Sequence, residues 1–409
     1  MSTSTIAVVG AGLAGAFAAV GARESGFDGR IVLIGDEAEL PYERPPLSKD
    51  VLRGDKPPSS ADVHAESHYA ELGVERLPGR SVTTLDPEGP AVVLDDGERI
   101  ACTAVVLATG AAPRRLAVPG ADLSGVHHLR NRSDSLALHD ALGPGRRVVV
   151  VGAGWIGTEV AASARQMGAE VTVVDPSPVP LRRVLGDTVG AVFAGLHAEH
   201  GVDLRLGRGV QAVKGDGTVE AVVLDDGSSV DADLVVAGIG VIPRTDLAER
   251  AGLSVANGVV VDEHLRTSVP GILAAGDVAS AFHPHYDAHI RVEHWANARG
   301  QGAVAGANAA GAEQVYDRIP YFFSDQYDLG MEYVGLSQPD DELTVRGDLA
   351  TREFIAFRHR DGVLTSAMNV NVWDVVDDLR ALIVARTALD PARLADPSVP
   401  IAELGPGGA

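Results

Sequence analysis

The sequence predicts an α/β protein in which two Rossmann-type dinucleotide-binding domains are followed by a C-terminal α+β domain. Three observations lead there. A β-branched run, a Gly-x-Gly-x-x-Gly turn and a small-residue helix occur in that order twice, first from Ile6 and again from Arg147. Each copy continues into a second β-branched run that is followed at once by an acidic residue. From about Tyr321 the texture changes to clustered aromatics, Phe322, Phe323, Tyr327 and Tyr333, with strand-like runs behind them.

With 409 residues the chain is long enough for two or three domains of about 100–200 residues each. The first strand, residues 6–9, runs into Gly10, Gly12 and Gly15. In this motif the first glycine permits a tight turn, the second lets backbone approach a pyrophosphate, and the third lets helix pack on strand. The helix N-terminus then faces the phosphates. The run 30–34 follows, and Asp36, about twenty residues beyond Gly15, is favoured over its neighbour Glu37 as the acceptor for adenosine ribose hydroxyls. Pro41 to Asp50 read as a proline-stiffened loop. Ala104–Leu107 with Ala108-Thr-Gly110 is a buried strand entering a glycine turn, and Pro113 marks the first boundary. The second copy is Arg147–Val151, then Gly152, Gly154 and Gly157, then a helix through Met167 with Ile156, Val160, Ala164 and Met167 on one face. After the run 170–174 comes Asp175, and no basic residue follows it until Arg182 and Arg183. That favours a free 2′-hydroxyl, and so NADH over NADPH. Leu234–Ala237 repeats the strand before a glycine turn, and the chain should leave the second domain near Ile242 and Pro243. Of the later strand candidates, 259–262 and 272–275, the second ends in Gly276-Asp277 and returns to the first domain, where Asp277 could reach a hydroxylated chain such as a flavin ribityl. The expected domains are therefore 1–113 and 244–320 for FAD, 114–243 for NAD and 321–409 at the C-terminus. In the last of these, strands 353–358 and 363–368 precede a helix at 373–385, and the tail from Asp390 should be irregular.

Composition removes several classes. The formal charge of −22 argues against nucleic acid, and sites for anionic cofactors must be built locally. Cys102 is the only cysteine, which excludes an internal disulfide, a Cys-x-x-Cys redox pair and a cysteine metal cluster; no metal site is expected, and the thiol reads as a small buried hydrophobe. No window approaches about 18 unbroken apolar residues, and the start has neither a basic region nor an apolar one. The expectation is a cytoplasmic protein with no membrane partner.

Gly35-Asp36-Glu37, Tyr42-Glu-Arg-Pro-Pro-Leu-Ser-Lys49, Ala108-Thr-Gly110, Ala275-Gly-Asp277, His294-Trp-Ala-Asn297 and Phe323-Ser-Asp-Gln-Tyr327 together resemble the ferredoxin reductases of bacterial oxygenase systems. The resemblance runs in order along nearly the whole chain and implies a glutathione-reductase-like arrangement. It implies FAD contacts at Ala14, Asp36, Lys49, Val82, Arg130, Asp277 and Trp295, with Lys49 near the flavin ring and Trp295 beside it. Glu159 matches a residue that reaches the nicotinamide end of NADH; as a bare sequence feature it reads equally as an acid supporting the first helical turn. Phe323 departs from the tryptophan many such reductases carry. The implied activity passes electrons from NADH through FAD singly to a small iron–sulfur ferredoxin serving a monooxygenase or dioxygenase. The cofactors carry the chemistry, so no catalytic acid or base is required. Arg291 and Arg299, flanking Trp295, are candidates for a local docking patch. Two alternatives share the motifs: an NADH oxidase or diaphorase, and a flavin-binding redox-signalling protein resembling apoptosis-inducing factor. A disulfide reductase does not, because no cysteine lies in the Pro41–Asp50 segment or the first helix.

Overall fold

In the computed structural model, which describes residues 4–405, each glycine turn opens from a five-stranded parallel sheet. The chain separates into two units, one made of residues up to Glu43 with Ser59–Ala112 and Ile242–Pro320, the other of Arg44–Pro58, Pro113–Val241 and the chain from Tyr321 onward.

The sheet of the first unit has the order Ile272–Ala274, Ala104–Leu107, Thr5–Val9, Arg30–Gly35, Val74–Pro78. Ile6, Val8, Ile31, Leu33, Val105 and Ile272 are all at most 1% exposed, the pattern of strands covered on both faces. Each such side chain contributes about 1.5–3 kcal/mol on burial. One covering layer is made by helices Leu13–Glu24 and Trp295–Ala309, which touch backbone to backbone. A Cβ on Gly302 would stand 2.3 Å from the Ala14 carbonyl oxygen, and one on Gly306 2.0 Å from that of Ala18. The alanines and glycines of both helices are small for this reason. The unit also holds an antiparallel sheet of Val82–Asp86, Ala91–Leu94 and Arg99–Ala101, and a mixed sheet in which Ala279–His283 pairs parallel with Val259–Val261 and antiparallel with Ala288–Ile290.

The parallel sheet of the second unit has the order Asp203–Leu206, Glu170–Asp175, Arg147–Val151, Leu234–Ala237, Val126–His127. Beyond it, strands Tyr321–Gln326, Leu329–Gly335, Val363–Val370, Glu353–Arg360 and Glu342–Asp348 form an antiparallel sheet. Phe193 and Leu196 of helix Arg182–Glu199 bury against Phe322, Met331 and Phe354 of this sheet. Helix Val376–Ala385 lies against strands Leu329–Gly335 and Val363–Val370.

The structure departs from the sequence expectations in four places. Residues 44–58, read with the first domain, belong to the second unit, because Leu52 joins Leu138, Val160 and Ala161 in one apolar cluster. They are also not a plain loop, since Pro45–Ser48 and Asp50–Arg53 are short helical turns. The helix expected at 373–385 begins at Val376, leaving Trp373 exposed. The tail contains helix Pro391–Ala395, started by proline at its first position and by Asp390, whose carboxylate accepts from the Ala392 N–H. Ile156, read on one helix face with Val160, Ala164 and Met167, is exposed at the second position of its helix, whereas Val160 and Ala164 are buried.

Candidate functional sites

In the first unit Gly10 takes φ +111°, and a Cβ on it would fall 2.2 Å from the Ala108 carbonyl oxygen. One on Gly15 would fall 1.8 Å from the Gly10 carbonyl oxygen. Gly12 differs, because a Cβ there meets nothing within 4 Å. Helix Leu13–Glu24 thus starts beside open space, with no side chain capping its first N–H groups. Those donors and the helix dipole suit an anionic pyrophosphate. Gly276 sits against Ala14 and Ala298, so Ala14, Asp277 and the helix that begins at Trp295 converge on one place. The Trp295 indole N–H is buried there and has no hydrogen-bond partner among the described residues. A polar hydroxylated cofactor fits this site, since it offers acceptors to that N–H and donors to the half-buried Asp277. At the rim Asp36 is exposed and pairs with Arg244 at 3.1 Å, while Glu37 accepts from the Tyr42 hydroxyl. Val82 is drawn less closely to this group, opening a strand of the antiparallel hairpin sheet and packing against the core.

The second unit repeats the turn: Gly152 has φ +102°, and a Cβ on Gly157 would lie 1.9 Å from the Gly152 carbonyl oxygen. Gly154 is exposed with open space beside it. Asp175 accepts hydrogen bonds from the Ala153 and Ser177 N–H groups, both at 2.7 Å, so its carboxylate is tied to the glycine turn itself. Arg182 pairs with Asp187 at 2.6 Å and not with this acid. Arg208, which the sequence reading passed over, donates its backbone N–H to the Asp175 carbonyl oxygen at 3.0 Å, and its guanidinium pairs with Asp226 at 2.9 Å. Nothing local announces Arg208; it arrives because strand Asp203–Leu206 pairs in register with the strand that Asp175 ends.

Glu159 corrects one of its two readings. The first turn of helix Trp155–Gln166 holds no acid, and Glu159 is only 5% exposed. Its Oε2 lies 2.7 Å from Lys49 Nζ and accepts from the Ser48 hydroxyl at 2.5 Å, while its Oε1 accepts from Ser324 at 2.7 Å. The segment Pro45–Arg53 is thereby tied to the helix after the second glycine turn, with Ser163 donating to the Ser48 carbonyl at 2.6 Å. Ser324 and Gln326 carry no assigned role in the sequence reading. Their signal was present, because period-two alternation puts Phe322, Ser324 and Gln326 on one face, and that face is the buried one. Arg130 lies in this unit too. Its N–H donates to Asp134 and its carbonyl accepts from Arg44.

Burial pushes the Cys102 thiol up to about 11, so it is held protonated. Arg291 is not an available cation: it pairs with Glu293 at 2.6 Å and donates to Asn257 and to the Asp277 carbonyl. Arg299 lies over the rings of Phe17 and Trp295. Among the described residues there is no group of three or more His, Cys, Asp or Glu suited to a metal ion. No helix among them is long and apolar enough to cross a membrane.

Comparison with known proteins gives two adjoining matches, a pyridine nucleotide-disulphide oxidoreductase model over residues 4–302 and a reductase C-terminal model over residues 321–405. The chain is 41% identical over 403 residues to the ferredoxin–NAD(+) reductase component of the anthranilate 1,2-dioxygenase system of Burkholderia cepacia, covering 98% of each chain. It is 37% identical over 409 residues to putidaredoxin reductase of Pseudomonas putida, covering 98% of this chain and 97% of that one. Among solved structures, a covalent putidaredoxin reductase–putidaredoxin complex aligns with a TM-score of 0.94 at 37% identity, over 98% of both chains.

Proposed function

Because the chain belongs to the pyridine nucleotide-disulphide oxidoreductase family and ends in a reductase C-terminal domain, we propose that it passes electrons from NADH through FAD, one at a time, to a small iron–sulfur ferredoxin serving a monooxygenase or dioxygenase. It is an oxidoreductase that uses FAD and a nicotinamide dinucleotide. The observation that carries this reading is the pair of glycine turns, each opening an uncapped helix beside unfilled space, in a chain whose relatives are ferredoxin reductases. The bound flavin supplies the chemistry, accepting two electrons as hydride and releasing them singly.

The chain's own residues bind and orient. The helix N-termini at Gly12 and Gly154 hold the two pyrophosphates, and Gly10, Gly15, Gly152 and Gly157 keep each turn narrow enough to do so. Asp36 and Asp175 take the ribose hydroxyls of FAD and NADH, and Asp277 takes the ribityl chain. Ala14, Val82 and Arg130 line the FAD, Lys49 and Trp295 attend the flavin ring, and Glu159 serves the nicotinamide end through its pairing with Lys49. NADH is the donor, since a 2′-phosphate would meet Asp175 as a like charge, and Arg182 and Arg208 are already matched by Asp187 and Asp226. A disulfide substrate is disfavoured. Such chemistry needs a thiolate, and the lone cysteine is held as a thiol. A chain with no internal disulfide to protect is suited to the cytoplasm.

The test is reconstitution. The purified protein should be yellow with one non-covalent FAD per chain and should reduce an added two-iron ferredoxin with NADH while forming little peroxide. A colourless protein that takes up no FAD would end the reading. Peroxide formed in step with NADH, with ferredoxin or without it, would make the protein an oxidase.

A further inference from the structure

We propose that Ser324 and Gln326, on the first strand of the C-terminal domain, are positioning residues for the Lys49–Glu159 ion pair, and that this domain thereby sets the charge Lys49 offers to the flavin. The proposal rests on the assignment of Lys49 to the flavin ring made above.

The argument starts at Glu159. A buried carboxylate has lost its water and must find donors for both oxygens. Oε2 has two, Ser48 and Lys49; Oε1 has one among the described residues, the hydroxyl of Ser324. Ser324 is 1% exposed, so no solvent replaces it. Its direction of donation is fixed from behind. His197 Nε2 lies 2.9 Å from Gln326 Oε1, and burial pushes the His197 pKa down to about 4, so a neutral ring donates to the amide oxygen. That turns the Gln326 amide nitrogen toward Thr158 Oγ1 at 3.1 Å and Ser324 Oγ at 3.3 Å. Thr158 spends its own proton on the Gly154 or Trp155 carbonyl and accepts from Gln326. Ser324, accepting from Gln326, is left with Glu159 as the target of its hydroxyl proton. The chain His197, Gln326, Ser324, Glu159 and Lys49 is thus polarised in one sense and ends on the lysine.

With Ser324 in place, part of the carboxylate's charge is held at Oε1 and Lys49 is matched only at Oε2. Without it, an unsatisfied Oε1 turns toward the ammonium, which is drawn more fully into the pair and has less positive charge to offer beside a reduced, more negative flavin.

The experiment compares FAD-loaded Ser324→Ala, Ser324→Thr and Lys49→Gln with the unaltered protein, reading the midpoint potential of the bound flavin by dye-coupled titration. Ser324→Ala should shift the two-electron equilibrium about tenfold toward oxidised flavin, about 30 mV. Ser324→Thr, which keeps the hydroxyl, should restore the potential, and Lys49→Gln should shift it at least as far as Ser324→Ala. An unmoved potential in Ser324→Ala beside a shift in Lys49→Gln overturns the positioning role alone. An unmoved potential in Lys49→Gln with FAD bound overturns the lysine assignment beneath it. Should Ser324→Ala fail to fold, Gln326→Leu removes the group that aims the hydroxyl: a smaller shift of the same sign supports the proposal, and none overturns it.

Discussion

Asp277 and Asp175 carry the predictions that belong to single residues. Asp277→Ala should weaken FAD retention about ten- to a hundredfold, since a hydrogen bond to a charged group is worth about 1.5–3 kcal/mol; the FAD-to-protein ratio after gel filtration measures it. Asp175→Ala should lower kcat/KM for NADH by a similar factor and raise it for NADPH, whose 2′-phosphate no longer meets a like charge, with ferricyanide as acceptor. Because the Asp175 carboxylate also holds the Ala153 and Ser177 N–H groups, the variant should loosen the glycine turn, and Asp175→Asn separates the two effects by keeping an acceptor without the charge. Residues whose roles follow from backbone geometry were legible in the sequence, because a positive φ at Gly10 and Gly152 and a close approach at Gly15 and Gly157 admit almost no other residue. Glu159 was not. Its partners, Ser48 and Ser324, are 111 and 165 positions away, and spacing within one helix cannot report them.

At the scale of elements, the run from His127 to Arg132 shows what a composition reading loses. Taken alone it passes for a solvated loop, yet Asn131 caps helix Arg132–Ala141 in a reciprocal box with Asp134. The usual box begins with serine or threonine and ends in a longer acid, which is why the pattern escaped notice. Asn131→Ala should cost about 1 kcal/mol, seen as a fall of about 2–4 °C in Tm. The central strands of the two parallel sheets were legible from their apolar runs, and so was the C-terminal hairpin of 353–358 and 363–368, whereas the hairpin sheet that opens with Val82–Asp86 was missed, because such short half-exposed strands carry little pattern. Helix Arg182–Glu199 contributes a pH dependence through His197, which is 1% exposed and whose pKa falls from the ordinary 6.5 to about 4. The unfolded chain binds a proton there that the folded chain refuses, so stability is intact above about pH 6.5 and is lost as pH falls toward 4. At pH 4 the loss from this residue approaches about 3 kcal/mol. Tm measured against pH should show a shallower acid decline in His197→Gln.

Over the whole molecule the charge is −22, and a ferredoxin partner of acidic composition would be repelled at long range. A Debye length of about 10 Å at 0.1 M salt screens that repulsion before it weakens close pairs. Ferredoxin reduction should therefore rise and then fall as salt is added; a steady decline from the lowest salt would mean that attraction dominates. Arg291 is already engaged by Glu293, so Arg291→Ala should leave the salt optimum where it is. The order of strands has another consequence, for the chain while it is being made. Every strand of the second unit's parallel sheet lies between Val126 and Ala237, so that sheet can close as soon as those residues leave the ribosome. The first unit's sheet cannot, since Ala104–Leu107 pairs on one side with Ile272–Ala274, some 165 residues later. For all that interval of synthesis its Val105–Val106 edge stays open to other strands, and a nascent chain that stalls before Ile272 presents an apolar edge to its neighbours and to chaperones.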